Sequence, residues 1–170
     1  MLIDRGCEVG LHPGFNDFAS TNALARGRDV LTEVLGSRPS RIRQHWLRFS
    51  FEKTWAAQEA AGFRVDSTLG FNDRPGFRAA AALQYAPLID ARRSESLQEI
   101  PLVLMDSHLH DYLDLDADGV IAEADRWIDE IIAVGGEASV NWHQRVLHSD
   151  YGWGASWRHV LERVQREGLS

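Results

Sequence analysis

Among the residues whose side chains can bind a metal, move a proton or orient a carboxylate, six fall where strand-like runs end: His12, Arg43, His45, Asp66, Asp106 and His143. In parallel α/β folds the carboxyl ends of the strands converge on one face, and chemistry sits there. A single histidine at a strand end is ordinarily structural. Three histidines, two acids and an arginine at successive strand ends form a candidate site. The chain is organised around Phe63 to Arg78, which opens like a buried strand and turns polar, punctuated by Gly70, Pro75 and Gly76. Asp66, Asp73, Arg74 and Arg78 lie along it, where turn chemistry prevents a regular helix. The plainer account of that stretch is a surface loop with ordinary ion pairs.

The elements that must position these residues read as follows. Cys7 to Leu11 is a short strand ended by His12-Pro13-Gly14. Thr21 to Leu35 carries a helical apolar stripe closed by Gly36. Ile42 to Leu47 is a second strand-like run, and Ser50 caps a helix that reaches Ala61. Leu83 to Asp90 fits either pattern. Glu99 to Asp106 is a buried strand with Pro101 near its start, where a missing N–H is tolerated. Val120 to Val134 is a helix with Ile121, Ala124, Ile128, Ile131 and Ile132 on one face. Ala138 to His143 is a strand, and Trp157 to Glu167 a last helix closed by Gly168. Alternating strands and helices predict βα units around a parallel sheet in one domain, residues 1–170. The segments are too few for a closed eight-fold barrel, which leaves an open sheet or an incomplete one.

The bulk numbers exclude some classes. With 170 residues, 44% hydrophobic and 25% charged, the chain has the make-up of an ordinary globular domain with a real core. A net charge of −7 with no basic face argues against nucleic-acid binding. No apolar run is long enough to span a bilayer, and the single Cys7 rules out an internal disulfide framework. Met1 to Gly6 holds no charged-then-apolar leader, so the chain as it stands reads as cytoplasmic. Six tryptophans are many for this length; Trp46, Trp142 and Trp153 sit beside polar candidates, as in a saccharide-binding cleft.

The motifs, in their order, resemble the polysaccharide deacetylases that share the NodB homology domain. Gly10-Leu11-His12-Pro13-Gly14-Phe15-Asn16 is similar to the second motif of that family, His-(Ser/Thr)-x-x-His, with His12 as the first metal histidine and Asn16 where the second would stand. Ile42-Arg43-Gln44-His45-Trp46 resembles the third, Arg-x-Pro-Tyr, whose arginine orients the catalytic aspartate; His45 replaces its proline. Asp66 with Ser67-Thr68-Leu69-Gly70-Phe71 resembles the fourth, and Val140-Asn141-Trp142-His143 the fifth. The resemblance covers roughly Gly6 to Gly168. It implies a distorted, here incomplete, (β/α) barrel and a divalent metal, zinc or cobalt-like, held by His12, Asn16 and His45. It further implies hydrolysis of N-acetyl groups from an amino-sugar polymer, with His143 as general acid and Arg43 and Asp66 holding the base. Asp73, Arg74, Asp106 and Trp142 would line the sugar pocket. The first motif of the family, with the base and a metal aspartate, lies on a strand preceding the His12 segment, where this chain has eleven residues. The expectation is an N-terminally incomplete member with weakened metal affinity, impaired turnover and an open sheet edge that a second subunit could cover.

Two other readings stand beside this one. The fold could serve as a non-catalytic saccharide-binding or scaffold relative, or the chain could be an unrelated metal hydrolase of barrel type. Asp114-Leu115-Asp116-Ala117-Asp118-Gly119 also matches the start of a calcium loop, with Asp125 at its twelfth position; the alternative is an acidic turn capping the next helix. Ser107 to Leu113, with His108 and His110, reads as a solvated loop, and His148 and His159 as surface residues.

Overall fold

The computed structural model describes residues 3–168. The chain forms two compact units, one from Met1–Leu69 with Gln84–Ile100 and the other from Gly70–Leu83 with Pro101–Ser170. Both mix helices with parallel strand pairs, so the fold is α/β.

In the first unit the strands are β1 (Arg41–Ile42), β2 (Val65–Asp66), β3 (Leu88–Ile89), β4 (Arg92–Arg93) and β5 (Gln98–Glu99). Three of them make a parallel sheet in the order β1-β2-β5. Leu11 adds a single parallel bridge beside Ile42, where a strand from Cys7 was expected. Cys7, Glu8 and Gly10 are exposed, Val9 is half-buried, and Leu11 alone of this run is buried. The Ile42–Leu47 run also stops early, because Trp46 and Leu47 turn left-handed at φ 57° and 49°. The ambiguous Leu83–Asp90 stretch leads into a β3–β4 hairpin whose turn residues, Asp90 and Ala91, both have positive φ (50° and 62°), the twist that tight hairpins require.

Helix α1 (Thr21–Leu35) lies where its stripe predicts: Ser20 caps it through Oγ, which accepts from Ala23 N at 3.3 Å, and Gly36 ends it at φ 70°. Helix α2 (Thr54–Ala60) starts later than a Ser50 cap would have it. Ser50 contributes its carbonyl, which accepts from Lys53 N and Thr54 N, and makes a turn ahead of the helix. Leu24, Ile42, Trp55, Phe63, Leu69 and Leu97 form the core of this unit. Burying a side chain such as Phe63 contributes about 1.5–3 kcal/mol.

The second unit is built on β6 (Leu102–Met105), buried along its whole length, and β7 (Ser139–Asn141), its parallel neighbour. The long buried strand read from Glu99 to Asp106 is thus two strands interrupted at Ile100-Pro101: proline donates no ladder hydrogen bond, and only its carbonyl pairs, accepting from Ser139 N at 2.7 Å. A register shift between Leu102 and Leu104 leaves Val103 bulged, and its carbonyl accepts from Gly76 N at 2.9 Å. The Gly70–Gly76 loop therefore lies along β6. A Cβ on Gly70 would stand 2.8 Å from the Leu102 carbonyl oxygen, which is why only glycine fits.

Helices α3 (Ala117–Ala133) and α4 (Gly154–Arg166) complete the unit. The buried residues of α3 are Val120, Ala124 and Ile128, a stripe of spacing four; Ile132, expected on it, is 39% exposed. They pack with Leu104, Leu109 and Val160. Sheets of three, two and two strands are formed, and no closed barrel appears among the described residues.

Candidate functional site

The second unit brings two of the expected residues into direct contact. Met105 pairs in register with Asn141, and beyond these strand ends Asp106, one residue past β6, meets His143, two past β7. Asp106 is fully buried. Its Oδ1 accepts from Ser107 N at 2.7 Å and from His143 Nδ1 at 2.8 Å; its Oδ2 accepts from His143 N at 2.7 Å. A carboxylate can only accept, so Nδ1 carries the proton and Nε2 is the atom left for chemistry. The His143 side chain remains 36% exposed. A buried acid that fixes one imidazole nitrogen while the other stays accessible is the arrangement a proton-transfer residue needs. Asp106, expected in a sugar pocket, stands behind His143, so it can influence a ligand only through that ring.

Around this dyad lies an aromatic group. Trp142 stacks on Trp157 with ring centres 5.4 Å apart, and its buried Nε1 has no hydrogen-bond acceptor. His110 stacks on Trp153 at 4.2 Å. The Ser156 hydroxyl donates to the Trp153 carbonyl at 2.8 Å, so it accepts from His110 Nε2 at 3.0 Å. Burial pushes the His110 titration down, against the pull of Asp106 and Asp111.

His108 is completely buried. Its Nδ1 accepts from Met105 N at 3.1 Å and its Nε2 donates to the Phe71 carbonyl at 2.9 Å, while burial lowers its pKa. The stretch read as a solvated loop is instead a π-helical turn, His108–Tyr112, with Leu109 in the core. Asp73 and Arg74 pair with each other at 3.1 Å, both about half exposed, and Arg74 lies over Phe71.

In the first unit His12 and His45 face each other with ring centres 5.1 Å apart. His12 Nδ1 donates to the Arg43 carbonyl at 2.9 Å, the contact that commonly orients a metal-binding imidazole. Asn16 is turned elsewhere: its Oδ1 accepts from Arg48 at 2.7 Å, and a guanidinium there competes with any cation. Two imidazoles fall short of the three or four protein donors of a zinc centre. No cluster of three or more His, Cys, Asp or Glu able to hold an ion occurs among the described residues.

Arg43 donates through Nε to the Ser67 carbonyl and hydroxyl, each at 3.1 Å. Burial lowers its pKa, opposed by the charges of Asp66 and then Glu99. Asp66 is fully buried and accepts at Oδ1 from Thr68 N at 3.1 Å and from the Thr68 hydroxyl. Glu99, its partner in the sheet, escapes the sequence reading although a signal existed. An acid opening an otherwise apolar strand is seldom buried without a dedicated partner. Trp55 and Leu69 supply donors to it, at 2.8 and 3.0 Å.

The calcium-loop match resolves as the helix cap. Asp116 is the N-cap of α3, accepting from Gly119 N at 2.8 Å, which winds positions four onward into helix. Asp125 bonds to His159 at 2.9 Å, so His159 is a half-buried helix–helix contact, whereas His148 is exposed.

Among solved structures the chain is similar to that of a "putative polysaccharide deacetylase from Mycobacterium smegmatis", with 21% identity over 85% of this chain and a TM-score of 0.53. The chain spans about half of that structure's length, 49%. No protein-family model matches the chain, and no curated protein matches it.

Proposed function

We propose that this chain acts as a polysaccharide deacetylase of the NodB type, hydrolysing the acetamide of an N-acetylated amino-sugar polymer through a domain of incomplete-barrel form. The observation that carries the reading is the Asp106–His143 dyad at the ends of two paired parallel strands, supported by the fold's likeness to a deacetylase structure. In the reaction, water oxygen bonds to the acetyl carbon, the carbon–nitrogen bond breaks, and acetate departs. His143 Nε2, unprotonated at rest, takes a proton from the attacking water and passes it to the leaving amine while Asp106 holds Nδ1–H in place. Arg43 and Asp66 act as positioning groups, and Trp142, Asp73 and Arg74 face the sugar. Zinc, or a cobalt-like ion, is the implied cofactor and would be held by His12 and His45. That pair alone is an incomplete centre with Asn16 committed to Arg48, so metal affinity is low and turnover slow.

A second reading, a saccharide-binding relative without chemistry, is favoured by the exposed rings of Phe15 and Trp46, 47% and 70% accessible and edge-on at 6.5 Å. Acetate release from chito-oligosaccharides, measured with and without added zinc beside a direct binding titration, separates the two. Slow release that His143→Gln abolishes supports the deacetylase. Binding without release supports the second reading, and release at the rate of an ordinary enzyme overturns the impairment. The absence of both binding and release overturns both readings.

A further inference from the structure

Asp66 and Glu99 occupy paired positions on neighbouring parallel strands, and both are fully shielded from solvent. Residues so paired project to the same side of a sheet. Glu99 commits both oxygens: Oε2 accepts from Trp55 Nε1 and Oε1 from Leu69 N. Asp66 commits Oδ1 to Thr68, but its Oδ2 is buried with no N–H donor in hydrogen-bond geometry. The Gln58 amide lies close enough to that carboxyl to favour its charged form, but its Nε2 makes no hydrogen bond of standard geometry. Among the described residues Arg43 is the cation that lies in the field of both acids, so two ionised carboxylates would leave an uncompensated buried charge. The remaining titratable neighbour, Tyr85, is kept neutral, its pKa raised by burial and by Glu99 and Asp66.

We propose that Asp66 and Glu99 hold one proton between them, that the pair thereby presents a single negative charge to Arg43, and that Glu99, which fixes Leu69 N two residues beyond the Ser67 acceptor of Arg43, is a positioning residue for Arg43. The proton satisfies Asp66 Oδ2 and removes the charge mismatch in one step. Burial favours the protonated form of both acids, and Asp66 beside Glu99 pushes the latter well above the ordinary carboxylate range. The proposal depends on the deacetylase reading only for the use made of Arg43; the proton itself is detectable without substrate.

Infrared spectroscopy of the intact protein at neutral pH reads it directly. The expected result is a protonated-carboxyl carbonyl band in the wild type that is lost in Glu99→Gln and in Asp66→Asn. No such band in the wild type, or a band that survives both substitutions, overturns the proposal even if either variant folds poorly. The sign of the accompanying stability change is fixed. The folded pair binds its proton more tightly than the unfolded chain, so its contribution is complete below the ordinary carboxylate range. It is lost as pH rises toward the pair's own titration, by at most about tenfold in the folding equilibrium per pH unit for one proton. Glu99→Gln should flatten that slope. The Arg43 Nε–H signal in nitrogen-correlated NMR should stay slowly exchanging in Glu99→Gln and be lost in Glu99→Ala. An unchanged signal in Glu99→Ala overturns the positioning role, whatever the deacetylase assay shows.

Discussion

Replacing Asp106 by asparagine tests the dyad at its buried end. Three N–H groups converge on two carboxylate oxygens: Ser107 N at 2.7 Å, His143 N at 2.7 Å and His143 Nδ1 at 2.8 Å. An asparagine of the same shape offers one oxygen and one NH2. Whichever way the amide is turned, one backbone N–H then faces a donor in a buried site. Leaving a buried donor unsatisfied costs about 1–3 kcal/mol, and hydrogen bonds to a charged acceptor are worth about 1.5–3 kcal/mol each. The expected loss is about 3 kcal/mol, a large part of a total stability of about 5–15 kcal/mol. Urea unfolding followed by tryptophan fluorescence measures it, with Trp142 and Trp157 as reporters inside the same unit. Ring-nitrogen NMR should show His143 moving away from its single Nδ1–H form. A loss below about 1 kcal/mol with an unchanged His143 ring would refute the assignment of Asp106 as the group that holds it.

Gly70→Ala should destabilise the second unit by about 1–3 kcal/mol, because the new methyl meets backbone at 2.8 Å with little freedom to retreat; thermal unfolding checks it. Calorimetric titration with zinc should show weak binding that both His12→Ala and His45→Ala remove, and binding unaffected by either substitution would place the ion elsewhere.

Much of this architecture can be read from residue order. The α1 boundaries follow from Ser20 and Gly36, and α/β alternation follows from apolar periodicity. Contacts that depend on register were beyond reach. Asp106 and His143 lie 37 positions apart, and only the β6–β7 alignment joins them. Glu99 was passed over because a strand-opening acid looks solvated until its neighbours are known. The interruption at Pro101 was invisible because the apolar run continues through it, while the backbone changes pairing partner. Asn16 shows the reverse case: motif spacing gave it a ligand's place, and a local contact with Arg48 claimed its oxygen.

The chain leaves the first unit after Leu69, returns at Gln84 and leaves again after Ile100. A single cut can therefore release that unit only together with Gly70–Leu83. A fragment ending at Leu69 would lack β5, and with it Glu99, leaving the inner edge of β2 unpaired. During synthesis, Asp66 must wait for more than thirty further residues before its neighbour is available, so the β2–β5 pairing can form only after most of this unit has been made.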